Sequence, residues 1–138
     1  MVYVTRRSTF SASHRLYNPS LSEEENLALF DKCSNLHGHG HNYILEVTVA
    51  GQPGSSSGYV IDLKKLKKIV KEEILDKVDH KHLNHDVDFL KGIIPTAENI
   101  VRSFWNILRP KIHEGTLFSI TLRETENNAV EYRGEEHA

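Results

Sequence analysis

The sequence predicts an α+β domain with helices packed on one face of an antiparallel sheet. Three observations predict it. Apolar residues alternate along Asn42 to Val49, with Tyr43, Leu45, Val47 and Val49 on one side, and alternate more weakly along Val2 to Ser13. They recur at helical spacing from Leu63 to Ile74 and from Ile100 to Leu108. Alternation then returns at Leu117 to Glu124 and in a short run from Val130 to Tyr132. The order is two main strands, two helices and two strands, which puts the helices together on one side of the sheet.

Taken in order, the first strand runs into His14 and is expected to pair with the strand that follows His41. Between them, Ser22-Glu23-Glu24-Glu25 has the spacing of a capping box ahead of Leu27 and Leu29, which predicts a short helical excursion. The stretch Gly51 to Gly58 has turn composition and, with the apolar run Tyr59-Val60-Ile61 behind it, is expected to link strands. Asp62 caps the next helix. Its buried stripe is Leu63, Leu66, Ile69, Val70 and Ile74, and Lys64, Lys65, Lys67, Lys68 and Lys71 form a solvated face opposite. Pro95-Thr96 opens the following helix, whose stripe is Ile100, Val101, Phe104, Ile107 and Leu108, with Trp105 as a packing residue and Pro110 as the stop. Asn127-Asn128 supplies a turn whose residues tolerate left-handed backbone, before the closing strand.

A chain of 138 residues, 38% of them apolar, is sized for one core, so a single domain over residues 1–138 is expected. Cys33 is the one cysteine and has no internal partner, and the first residues lack the apolar run of a signal peptide. A reducing, cytoplasmic setting is the expectation. No apolar segment approaches the roughly 20 residues that cross a bilayer. A net charge of -2 supplies no field for nucleic acid, so neither membrane nor nucleic acid is expected as a partner.

Nine histidines stand out from this composition. In an extended segment, residues two apart share a face, so His39-Gly40-His41 offers two imidazoles to one side. His37 can share that face as well. His14, at the end of the neighbouring strand, is the candidate third ligand. Three nitrogens with a fourth position open form the catalytic zinc arrangement, whereas structural zinc fills all four places and favours cysteine. The other role for His14 is a strand-end histidine bonded to backbone. Cys33 is either a thiolate base in the same pocket or a small buried apolar residue. Asp79-His80 is a carboxylate and imidazole able to relay a proton, but neighbours on a strand point apart. The pair therefore needs a loop conformation or a partner from another subunit.

Five separated segments, Phe10-Ser-Ala-Ser-His14-Arg-Leu16, Cys33 with His39-Gly-His41-Asn-Tyr43, Asp79-His80-Lys81, Pro95-Thr-Ala-Glu98-Asn99 and Glu124-Thr-Glu-Asn-Asn128, resemble the 6-pyruvoyl tetrahydropterin synthase family in its order. The resemblance spans nearly the whole chain. It implies a tunnelling fold, or T-fold, built from a β-β-α-α-β-β unit. It also implies a homohexamer made of two trimers, with sites at subunit interfaces. By the same resemblance His14, His39 and His41 match the zinc ligands, Cys33 the general base, and Asp79 with His80 the proton relay. Glu124 matches the pterin anchor, and Thr96 and Glu98 the pocket lining. Ala97 departs from the pattern, standing where many members carry a hydroxyl. The implied reaction converts 7,8-dihydroneopterin triphosphate to 6-pyruvoyl tetrahydropterin with release of triphosphate and no redox cofactor.

A second branch of the same family, 6-carboxy-tetrahydropterin synthase of the queuosine and deazapurine pathway, uses that substrate and also expels acetaldehyde. Its bacterial members often place three residues between the cysteine and the first metal histidine, where the pyruvoyl branch has five. This chain meets both counts, through His37 and through His39. Gly-His-Gly-His-Asn-Tyr and the closing Tyr132-Arg-Gly-Glu135 resemble the pyruvoyl branch more. From a different class, a non-catalytic metal-binding assembly protein would use the histidines and have no need of Cys33.

Overall fold

Strand β1, Val2–His14, pairs antiparallel with strand β2, His39–Gly51, along its full length in the computed structural model, which describes residues 1–135. Residues 136–138 of the expected 1–138 domain lie outside the described residues. The pairing sets Phe10 opposite Tyr43 and His14 opposite His39. One face carries Phe10, Ala12 and His14 from β1, and Tyr43, Leu45, Val47 and Val49 from β2. All of these are buried. The expected alternation is therefore present, and it is the core side that ends in histidines.

Helix α1, Glu23–Phe30, forms where the capping box predicted it, with Ser22 and Glu25 bonded reciprocally. Its leucines do not enter the core, since Leu27 and Leu29 are exposed and Asn26 is the buried residue. A 3-10 turn, Asp31–Ser34, then carries Cys33 back toward β2. The link from β2 departs from expectation. Val60 and Ile61 are buried, but Tyr59 to Ile61 form no strand, because the chain turns at once into Asp62, the cap of helix α2, Leu63–Val70.

Helix α2 runs on through a π turn, Lys71–Leu75, into a last turn, Asp76–Val78. Leu66, Val70, Ile74 and Val78 are fully buried, each contributing roughly 1.5–3 kcal/mol on the scale of apolar burial. A strict four-residue stripe drifts around an α-helix, and the wider winding of the π turn keeps it in line. Leu63, expected in this stripe, is exposed, while the lysines form the solvent face as expected.

Helix α3, Ala97–Leu108, buries Ile100, Val101, Phe104, Trp105 and Leu108, and Thr96 caps it by accepting from Asn99 N. Trp105 packs edge-on against Tyr132. Strands β4, Thr116–Arg123, and β5, Ala129–Tyr132, close the sheet. Among the described non-glycine residues, only Asp31 and His80 have positive φ, so the turn at Asn127 and Asn128 uses no left-handed residue. Between α2 and α3 lies a strand with no signal in the sequence: β3, Lys81–His82, pairs parallel with Ala12 and Ser13. The sheet order is β3-β1-β2-β4-β5. Helices α2 and α3 cover its core face, as predicted. No described helix is long and apolar enough to cross a membrane.

Candidate metal centre and active site

The end of the β1–β2 pair gathers its histidines because register and alternation agree. His14 lies directly across from His39, and His41 lies two residues further along β2 on the same face. The ring centroids are 4.8 Å apart for His14 and His39, 5.1 Å for His14 and His41, and 4.7 Å for His39 and His41. Glu124 follows β4 immediately, two residues past core-facing Leu122, and joins them. One ligand atom from each of His14, His39, His41 and Glu124 lies within 4.8 Å of every other. His37 is outside this group, so the histidines that converge are the pair at the head of β2 and not the loop histidine.

The local backbone needs one glycine in particular. Gly38 sits at φ +70, and a Cβ there would collide with the carbonyl oxygen of His14. At Gly40 the nearest atom to such a Cβ is Ala12 O at 3.6 Å, an ordinary contact.

The rings are chemically ready for a cation. His14 is fully buried and its Nδ1 donates to the Pro95 carbonyl at 2.8 Å, which leaves Nε2 as the lone-pair nitrogen, 3.2 Å from His39 Nε2. His41 Nε2 is buried with no hydrogen-bond partner; Glu124 Oε1 lies 3.3 Å away but without hydrogen-bond alignment. An orphaned buried nitrogen among converging lone pairs is what a divalent ion would satisfy. Burial is the largest influence holding both His14 and His41 below the ordinary imidazole range; the neighbouring His39 adds to it for both rings, and His41 adds to it for His14. The Glu124 charge opposes it. Neutral imidazole is the ligand form. Burial, reinforced by Glu124, pushes the Tyr43 hydroxyl well above the ordinary tyrosine range, so it stays protonated 3.4 Å from His14 Nδ1.

The remaining predicted residues fall into three places. Glu124 and Glu98 line one pocket of about 170 Å³, together with Ala97, Leu122 and Asn128. Glu124 thus faces the metal group and this pocket at once. Thr96 is committed to capping α3, so its contribution is to set the helix that carries Glu98. Asp79 and His80 do meet, with Oδ1 and Nδ1 3.0 Å apart, because His80 adopts φ +60 and so escapes the strand geometry that would separate neighbours. The Ser11 N–H bonded to Asp79, followed by the His80 contact, holds its carboxyl below the usual range. Both side chains are open to solvent, His80 at 82% exposure. His80 and His41 line one cleft of about 550 Å³ with Ser11, Ser13 and Lys81. Cys33 is half-buried on its 3-10 turn and lines neither of these two cavities; its carbonyl accepts from Leu16 N, two residues past His14.

Two contributors escaped the sequence. Tyr43 was visible as the next same-face residue after His41 but carried no chemical signal. The Pro95 carbonyl had none, being a backbone atom 81 residues from His14.

The sequence profile described as 6-pyruvoyl tetrahydropterin synthase matches residues 3–135. A Pongo abelii protein named 6-pyruvoyl tetrahydrobiopterin synthase is 48% identical over 132 residues, covering 96% of this chain and 91% of its own. A Rickettsia bellii protein named 6-carboxy-5,6,7,8-tetrahydropterin synthase is 32% identical over 150 residues, covering 95% and 99%. The solved structure of 6-pyruvoyl tetrahydropterin synthase from Caenorhabditis elegans superposes with a TM-score of 0.92 at 40% identity, over 97% of this chain and 96% of that one. The same T-fold topology, matched from end to end, and sequence agreement far above what shared topology demands lead to one assignment: this chain is a member of the 6-pyruvoyl tetrahydropterin synthase family.

Proposed function

We propose that this chain is a zinc-dependent lyase that converts 7,8-dihydroneopterin triphosphate to 6-pyruvoyl tetrahydropterin with release of triphosphate. The observation that carries the proposal is the convergence of His14, His39, His41 and Glu124 at one sheet end, beside a pocket with a carboxylate on its wall. Three imidazole nitrogens suit zinc and keep a position open for substrate. When bound, zinc would act as a Lewis acid toward the substrate's side-chain oxygens and acidify the adjacent C–H groups.

The chain's own groups divide the rest of the work. Glu124, and Glu98 near it, offer carboxylates to the amino-pyrimidine edge of the pterin, a charge-assisted contact that fixes a planar ring. The Cys33 thiolate takes the carbon-bound proton. Asp79 orients His80, which passes protons between the side-chain carbons as triphosphate leaves. A relay pair this open to water needs covering, which supports the reading that a second subunit completes the site. The outer edge of β1 before Ala12 has no strand partner among the described residues, and β5 forms the other edge. Such edges suit assembly into the homohexamer of two trimers. A free cysteine suits a cytoplasmic setting.

The test is turnover. Purified protein incubated with dihydroneopterin triphosphate should yield 6-pyruvoyl tetrahydropterin and triphosphate. Equimolar acetaldehyde would instead assign the carboxy branch, to which the 32% identical relative belongs by name. Metal uptake without turnover would leave a binding protein.

A further inference from the structure

We propose that Asn99 is a positioning residue for the metal site, acting through the backbone turn of Ile94, Pro95 and Thr96 on His14. The proposal rests on His14 being a metal ligand. The ring of His14 is fully buried, so its orientation is set by protein groups, and its short bond to the scaffold is the one from Nδ1 to Pro95 O at 2.8 Å.

What aims that carbonyl is local. The Pro95 ring fixes its φ. Its ψ is set by Thr96 N–H, which bonds back to Ile94 O at 2.8 Å, the i to i+2 closure of a γ-turn. In a trans peptide the N–H of Thr96 and the C=O of Pro95 point opposite ways, and the described chain has no cis bonds. Closing the turn on one side therefore directs the Pro95 carbonyl to the other, where His14 lies.

The anchor of the turn is Ile94 O, and Asn99 Nδ2 donates to it at 2.9 Å. A carbonyl can only accept, so the amide orientation of Asn99 is fixed by its partner. Asn99 is the third residue of α3, and its backbone N–H bonds the Thr96 hydroxyl at 3.2 Å. A side chain at this position usually accepts from the N-cap N–H. Here that N–H is committed to the turn, and Asn99 instead donates to the carbonyl two residues before the cap. A rigid, buried helix thereby holds the turn that holds the ligand.

The discriminating variant is Asn99→Asp. It keeps the shape but has no donor, and it places a carboxylate in the first turn of α3, where the helix dipole favours it. Asn99→Ala removes the donor without adding charge. Metal-free protein would be titrated with zinc against a chromophoric chelator, with the His14 Nδ1–H signal followed by nitrogen-15 NMR and the thermal midpoint measured alongside. Both variants should bind zinc about tenfold or more weakly, the scale of lost outer-sphere support. The His14 signal should shift or broaden, while Asn99→Asp keeps or raises the midpoint. An unchanged zinc dissociation constant alongside a loss in His14→Asn would overturn this proposal alone. Zinc uptake that survives His14→Asn would overturn the ligand assignment and the proposal with it. Failure of both Asn99 variants to fold would make Asn99 a folding residue and overturn the proposal too.

Discussion

The two glycines of His37-Gly38-His39-Gly40-His41 look equivalent in sequence, and the structure predicts opposite responses to alanine. At Gly38 a methyl group meets φ +70, which costs an L-residue roughly 1–2 kcal/mol, and it meets the backbone carbonyl of His14, which cannot swing aside. Displacing packed backbone adds about 1–3 kcal/mol. Reduced freedom of the unfolded chain returns about 0.4–1 kcal/mol. The net is a destabilisation of about 1–5 kcal/mol, concentrated where His14 must face His39. Gly40 has no positive φ, and its added methyl finds Ala12 O at 3.6 Å, so Gly40→Ala should be neutral or stabilising by up to about 1 kcal/mol. In urea unfolding of metal-free protein, with slopes of about 1–3 kcal/mol/M, the Gly38→Ala midpoint should fall below wild type and the Gly40→Ala midpoint at or above it. They should lie on the order of 1 M apart. Zinc affinity should drop in Gly38→Ala and stay in Gly40→Ala. Equal midpoints for the two variants would refute the reasoning, because the close approach at Gly38 would then not exist in solution.

Zinc should bind once per chain, and His37→Asn should keep it while His39→Asn and His41→Asn each lose it, read by elemental analysis of untagged protein; retention in His41→Asn would move the site to the shorter register. Cys33→Ala should keep zinc and assembly but lose turnover by on the order of a hundredfold or more, as for other removed bases, and an unchanged rate would make Cys33 a packing residue. Acidification should destabilise the metal-free protein. Burial holds His14, His41 and His82 below their ordinary value of 6.5, so the unfolded chain takes up protons first. Stability should therefore be complete above 6.5 and fall as pH drops from there through the folded-state values. A urea midpoint that rises on acidification would contradict this.

Much of the site was legible because it depends on short-range periodicity. The pair His39 and His41 is a same-face pair on any extended strand, and Tyr43, Leu45 and Val47 beyond it announce that strand. The capping residues Ser22, Asp62 and Thr96 were equally local and all three cap their helices. Misreadings came where tertiary packing chose among local options. Leu63 lies before the buried stripe rather than in it, and Val60 and Ile61 bury without pairing.

The α+β class, the two covering helices and the histidine pair at the head of β2 are readable from the chain alone, since each follows from the spacing of residues within about fifteen positions of one another. Folding is what brings Glu124 to the three histidines, gives His80 the left-handed backbone that meets Asp79, and sets the Pro95 carbonyl against His14. These depend on strand register and on backbone groups that every residue carries alike. Composition and periodicity cannot distinguish one carbonyl from another, and the fold selects Pro95 by bringing the start of α3 against the end of β1.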